Sequence, residues 1–228
     1  MISSLCNTYS LVIKRLSIAD GIPALIFRLI LAPVMIIAGY SKLNISQDMT
    51  NLSEFFLASS DVINWFGNEE WGLGLPFPDV LAFLAGWTEF IGGWLLLIGL
   101  LTRLVTIPLM FTMVVAATTV HWSNGWFAIA PTDPSTSAAK VLDWLAIPGA
   151  NASLENSVEA KVRIDKIHEL VENHGYPDYL YERGKPVILN NGIEFSVIYF
   201  AMLLSLFFSG GGRVVSTDYW LKKSIKVK

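Results

Sequence analysis

Apolar positions gather in four windows separated by polar stretches, over residues 22–43, 80–101, 104–121 and 193–208. Each approaches the roughly 20 residues that a helix needs to cross about 30 Å of hydrocarbon. Arg28 interrupts the first, which ends at Lys42; Glu89 alone interrupts the second; the third runs directly into His121 and Trp122. The fourth is the shortest. This pattern predicts an all-α integral membrane protein, a four-helix bundle with an extended extracytoplasmic loop segment between helices 3 and 4. The chain reads as a single membrane domain over residues 1–228.

The polar pattern between the last two windows predicts an outer insertion over 122–192. Its first part, SNGWFAIAPTDPSTSAAKVLDWLAIPGA, is rich in turn formers and aromatics, as expected of chain lying along a membrane surface. Further on, Val158, Val162, Ile164, Ile167, Leu170 and Val171 recur at helical spacing among charges, and Gly175 follows. That predicts an amphipathic helix over about 155–173 that caps the outer face without crossing.

Phase within the windows assigns faces. At about 100° per residue, Ala82, Ala85, Gly86, Gly92 and Gly93 fall on the side of Glu89, whereas Trp87, Phe90 and Trp94 lie well away from it. Small residues mark close approach between membrane helices, so Glu89 is expected to look into the bundle. Arg28, Ala32, Met35, Gly39 and Lys42 form the corresponding stripe of the first helix. In the third the stripe is Met110, Val114, Ala117 and His121, and in the fourth Glu194, Ile198, Ala201 and Ser205.

Composition reinforces the membrane assignment, because 53% hydrophobic and 15% charged residues with a mean hydropathy of +0.51 are too apolar for an ordinary soluble domain. Charge adds orientation. Lys14, Arg15, Arg103 and the basic tail from Arg213 to Lys228 flank the windows on one side, and residues 44–79 contain acids but no Lys or Arg. Positive flanks stay inside, so both termini are expected in the cytoplasm. The order of the apolar and basic parts in MISSLCNTYSLVIKRLSIAD does not match a signal peptide. A net charge of −3 gives no reason to expect nucleic acid.

Charged residues inside hydrocarbon are costly and commonly functional, which makes Arg28, Lys42, Glu89, His121 and Glu194 a candidate intramembrane polar site. Arg28 and Lys42 are both candidates to reach Glu89; Lys42, His121 and Glu194 are expected near the outer boundary. A register-fixing ion pair and a proton or ligand site are both open readings of Glu89. Trp122, Asn124 and Trp126 are candidate loop contacts. His121, Met110 and Met113 are weak metal candidates, with core packing the better reading of the methionines. Cys6 is the only cysteine, which excludes an intramolecular disulfide and a CxxC pair. With one histidine at a helix end and no nucleotide motif, no haem, flavin or iron–sulfur cluster is expected.

RLILAPVMIIAGYSKL, PFPDVLAFLAGWTEFIGGWLLLIGLLTR and MVVAATTVHWSNGWFAIAP, in that order, resemble the DoxX family of small four-helix membrane proteins. The resemblance rests on the ordered set Arg28, Gly39, Lys42, Glu89, Gly99, Arg103 and His121. HWSNGWFAIAP and NNGIEF…FFSGGGRVVSTDYW look most like the HvfX-type subgroup, associated with maturation or handling of copper-binding, ribosomally made peptides. The resemblance implies an accessory membrane protein of a redox or copper-peptide pathway, acting with protein partners. Two alternatives stay open: a membrane subunit of a quinone-linked oxidoreductase, and a small-solute or ion permease. Quinone, or copper through a partner, is the cofactor chemistry implied. Fold alone does not decide among them.

Overall fold

The computed structural model describes residues 19–46 and 56–226. Cys6 and the basic pair Lys14 and Arg15 lie outside the described residues. Among the described residues the fold is helical and no strand forms. The described chain divides into two compact units, one running through Val120 and resuming at Ser196, the other spanning His121–Phe195.

In the first unit, α1 (Gly21–Lys42), α2 (Ser60–Gly67), α3 (Pro78–Ile98) and α4 (Thr102–Val115) follow one another. α8 (Glu194–Ser209), whose first two residues belong to the second unit, and α9 (Thr217–Lys226) follow the second unit's other helices. Among the described residues three helical runs are long and apolar enough to cross a membrane: Gly21–Lys42, Pro78–Ile98 and Thr102–Asn124, the last being α4 with its continuation. α8 is apolar but has 16 residues. The protein is a multi-pass membrane protein on this basis. Its core draws Leu31, Ala32 and Met35 from α1, Leu96 from α3, Leu109 and Met113 from α4, and Leu203 and Leu206 from α8.

The helix ends have local causes. Pro78 opens α3, where its missing N–H is harmless. Gly99 closes it in the left-handed region at φ 68°. Arg103, expected in a two-residue turn, instead lies in the first turn of α4, because the reversal is made at Gly99–Leu101.

α1 and α3 are antiparallel and packed through glycine. A Cβ on Gly39 would collide with the backbone of Phe90 and Gly86, and one on Gly93 would meet Ile36 and the Ala32 carbonyl. Ala82, Gly86, Glu89, Gly92, Gly93 and Leu96 are the buried residues of α3, so the small-residue face does carry the acid inward.

Two expected faces are corrected. The buried residues of α4 are Thr102, Val105, Thr106, Leu109 and Met113, whereas Val114 is exposed and Met110 only partly buried. Residues Ala116–His121 form a π-helical turn, which adds one residue to the helical repeat. Phase carried back from His121 at a uniform pitch therefore falls one residue late, on Met110 and Val114 in place of Leu109 and Met113. In α8, Ser196, Leu203 and Leu206 are buried, while Ile198, Ala201 and Ser205 are exposed. That helix is apolar nearly all round, so its small and polar residues carry no directional signal.

The second unit holds α5 (Ala139–Trp144), α6 (Ala150–His174) and α7 (Pro177–Leu180). α6 starts earlier than expected and buries Ser157, Ala160 and Ile164; Val158, Val162, Ile167 and Leu170 are exposed. Its exposed charges pair along the helix as Arg163–Glu159, Lys161–Asp165 and Lys166–Glu169. Such pairs add only a few tenths of a kcal/mol each.

Candidate functional site

Glu89 sits near the middle of α3 with 6% of its side chain exposed, and Lys42 is the last residue of α1. Their side chains meet with Lys42 Nζ 2.5 Å from Glu89 Oε2. Helix geometry explains why they converge. Helical side chains tilt toward the N-terminus of their own helix. Lys42 therefore leans back along α1, where Nζ also donates to the Ala38 carbonyl at 3.2 Å. Glu89 on the antiparallel α3 leans toward Pro78, and so toward Lys42.

The surroundings hold this pair in place. Leu43 is buried over Gly86, and Ser59 N–H donates to the Lys42 carbonyl at 2.9 Å. Asn44 N–H donates in turn to the Leu57 carbonyl, which lays residues 57–59 along the end of α1. Trp87 Nε1 donates to the Phe56 carbonyl at 2.9 Å, and its ring stacks on Phe56. α2 packs Phe66 against Ala58 and Ala82. The ammonium is less enclosed than the carboxylate, with 23% of the Lys42 side chain exposed. An arrangement of this kind can hold or move a proton at Glu89 Oε2, or offer an ammonium donor to a ligand oxygen.

Arg28 was the other candidate partner of Glu89, and it is engaged elsewhere. Only 1% exposed, it donates from Nε to the Leu96 carbonyl at 2.6 Å and from Nη2 to the Leu97 carbonyl at 2.7 Å. Nη1 reaches the carbonyls of Gly211 at 2.7 Å and Val215 at 3.1 Å. The guanidinium thus caps the C-terminus of α3, where orphan carbonyls and the negative end of the helix dipole favour a cation. Asp218 completes the clamp from the opposite charge, accepting from Leu101 N–H at 2.7 Å and Thr102 N–H at 2.9 Å at the start of α4. Sequence reading missed Asp218. Next to Thr217 it looks like a local cap of α9, yet it caps a helix more than a hundred residues away.

His121 and Glu194 belong to the second unit and have partners there. His121 Nδ1 lies 2.9 Å from the Asn191 carbonyl, so it carries the proton and leaves Nε2 as the basic nitrogen. Glu194 Oε2 accepts from Ala128 N–H at 2.9 Å. These contacts lie in a backbone pairing of residues 125–130 with 188–194, which includes Asn190 N–H to Ala128 O and Gly192 N–H to Phe127 O. Asn124 donates to the Asn191 carbonyl, while Trp122 and Trp126 are exposed. Nearby, hydrogen bonds from Ser135 hold the Asp133 carboxyl below its usual range.

Met113 lies in the apolar core and Met110 packs against it. Among the described residues no group of three His, Cys, Asp or Glu side chains is disposed to hold a metal ion. No curated protein and no solved structure matches the chain. Residues 24–122 match the DoxX family, and that stretch contains Arg28, Lys42, Glu89 and the Arg28-capped turn at Gly99.

Proposed function

We propose that the chain is an accessory protein of a bacterial redox or copper-binding peptide pathway, in the inner membrane with both termini cytoplasmic. The Lys42–Glu89 pair is its polar site, built into a four-helix bundle. The observation that carries this reading is the buried carboxylate within the stretch that matches the DoxX family, held at 2.5 Å by a lysine that keeps part of its surface open. A sealed structural pair has no need of that opening.

The copper-peptide branch draws support from the second unit. HWSNGWFAIAP and NNGIEF, the stretches that resemble the HvfX-type subgroup, are hydrogen-bonded to one another there. Trp122, Asn124 and Trp126 then serve as contacts for a protein partner. A quinone-linked subunit is the second reading, since the Lys42 ammonium beside a carboxylate suits a ligand carbonyl that takes up protons.

Affinity capture of the full chain from native membranes, followed by mass spectrometry with quinone and metal analysis, tests these readings. Retention of pathway proteins is the expected result. Stoichiometric quinone in the purified protein would move the assignment to the second reading. Solute uptake into liposomes by the purified chain alone would overturn both.

A further inference from the structure

The α3–α4 turn at Leu101, the start of α4, the end of α8 and one side of α9 line an open-sided cavity of about 460 Å³ that the Lys42–Glu89 site does not use. Its polar side carries Arg103, Arg213 and Lys222, against the single carboxylate of Asp218. Asp218 is already committed, because both its oxygens accept amide hydrogens at the start of α4. Arg103 gives Nη2 to the Phe208 carbonyl at 2.8 Å, which fixes its guanidinium at the cavity wall. Arg213 has only an exposed contact of 3.3 Å to Asp20. Lys222 has no ion pair among the described residues. The lining loop is Gly210–Gly212, with φ of 79° at Gly210 and 95° at Gly212, so no side chain of its own fills the space.

The other side of the cavity is apolar. Leu104, Leu221 and Ile225 line it and are exposed. Its depth follows from the helices that form it, since the α3–α4 turn and the end of α8 terminate apolar helices of the membrane. α9 places exposed Trp220 beside Lys223, an arrangement typical of an amphipathic helix at the headgroup level.

We propose that this cavity binds an anionic glycerophospholipid, its phosphate taken by Arg103, Arg213 and Lys222 and its acyl chains lying against Leu104, Leu221 and Ile225. Excess positive charge selects the anion, as basic pockets between membrane helices do. Apolar walls select a lipid over free phosphate. The sequence also puts its basic tail on this side, where the leaflet is negatively charged if the termini are cytoplasmic.

Native mass spectrometry of the detergent-solubilised full chain, titrated with phosphatidylglycerol and phosphatidylcholine, reads this directly. Phosphatidylglycerol should be retained in preference, and Arg213→Gln with Lys222→Gln should cut that preference by about 25-fold, or about 5-fold for each cation lost. Arg213 and Lys222 are both exposed, so the thermal unfolding of the variant should match wild type. In wild type the preference should also shrink with added salt, a readout that does not depend on the variants. Equal retention of the two lipids, or an unchanged preference in the folded double variant, would overturn the proposal. Displacement of the lipid by millimolar inorganic phosphate would identify a free-anion site and overturn it too.

Discussion

Replacing Arg28 by Met tests how the α3–α4 turn is held. The side chain is 1% exposed and donates to four carbonyls, of which those of Leu96 and Gly211 are in its fully buried hydrogen bonds. Methionine fills much of the same volume and donates nothing. A hydrogen bond to a charged group contributes about 1.5–3 kcal/mol, so the two buried ones alone give a loss of about 3–6 kcal/mol. At roughly 2–4 °C per kcal/mol for a chain of this size, Tm should fall by about 6–24 °C. Arg28→Lys should fall between the two, because an ammonium cannot fork toward both Leu96 and Gly211. The assay is thermal unfolding of purified protein in one detergent. An Arg28→Met protein melting with wild type would refute the clamp and return Arg28 to the list of free intramembrane cations.

Asp218→Ala removes the acceptor for Leu101 and Thr102 N–H and should cost about 1–2 kcal/mol in the same melting assay, the usual loss for a helix cap. No change would show those amides to be satisfied by water. Glu89→Ala leaves the Lys42 ammonium without its partner and should lose about 3–5 kcal/mol, whereas Lys42→Met with Glu89→Met should stay closer to wild type. A double variant that loses the sum of the losses of the two single substitutions would mean that the pair is not coupled. For topology, single cysteines at 60–70 and 139–170 should react with an impermeant thiol reagent from outside, and those after 213 should not, in a Cys6→Ser background. Outside labelling of the tail would reverse the orientation.

The inward face of Glu89 was legible because α3 combines one acid with a run of glycines and alanines at uniform helical pitch, and nothing disturbs its phase. Lys42 was legible as a candidate for the same reason. Which cation reaches the acid was not, since that depends on the tilt of two antiparallel helices and on a turn whose carbonyls compete for Arg28. The π-helical turn at Ala116–His121 leaves no mark in the residue pattern, and it displaced the predicted face of α4 by one residue. α8 offered no periodicity to read. Apolar residues at roughly helical spacing misled in α6, where the buried side is made by Ser157, Ala160 and Ile164. α2 and α9 are short and were not anticipated, and with α9 went the cap that Asp218 supplies.

The most direct test of a functional Lys42–Glu89 site is the pathway output of cells whose only copy of the chain carries Glu89→Gln. It is read alongside membrane insertion and melting of the same protein. Glutamine keeps the shape and can still accept from Lys42, but it cannot carry the charge or exchange the proton. The expected result is normal insertion with output reduced by about a hundredfold, the lower end of the range for loss of a positioned proton-handling group. Full output from well-folded Glu89→Gln would contradict it and leave the pair a structural tie between α1 and α3.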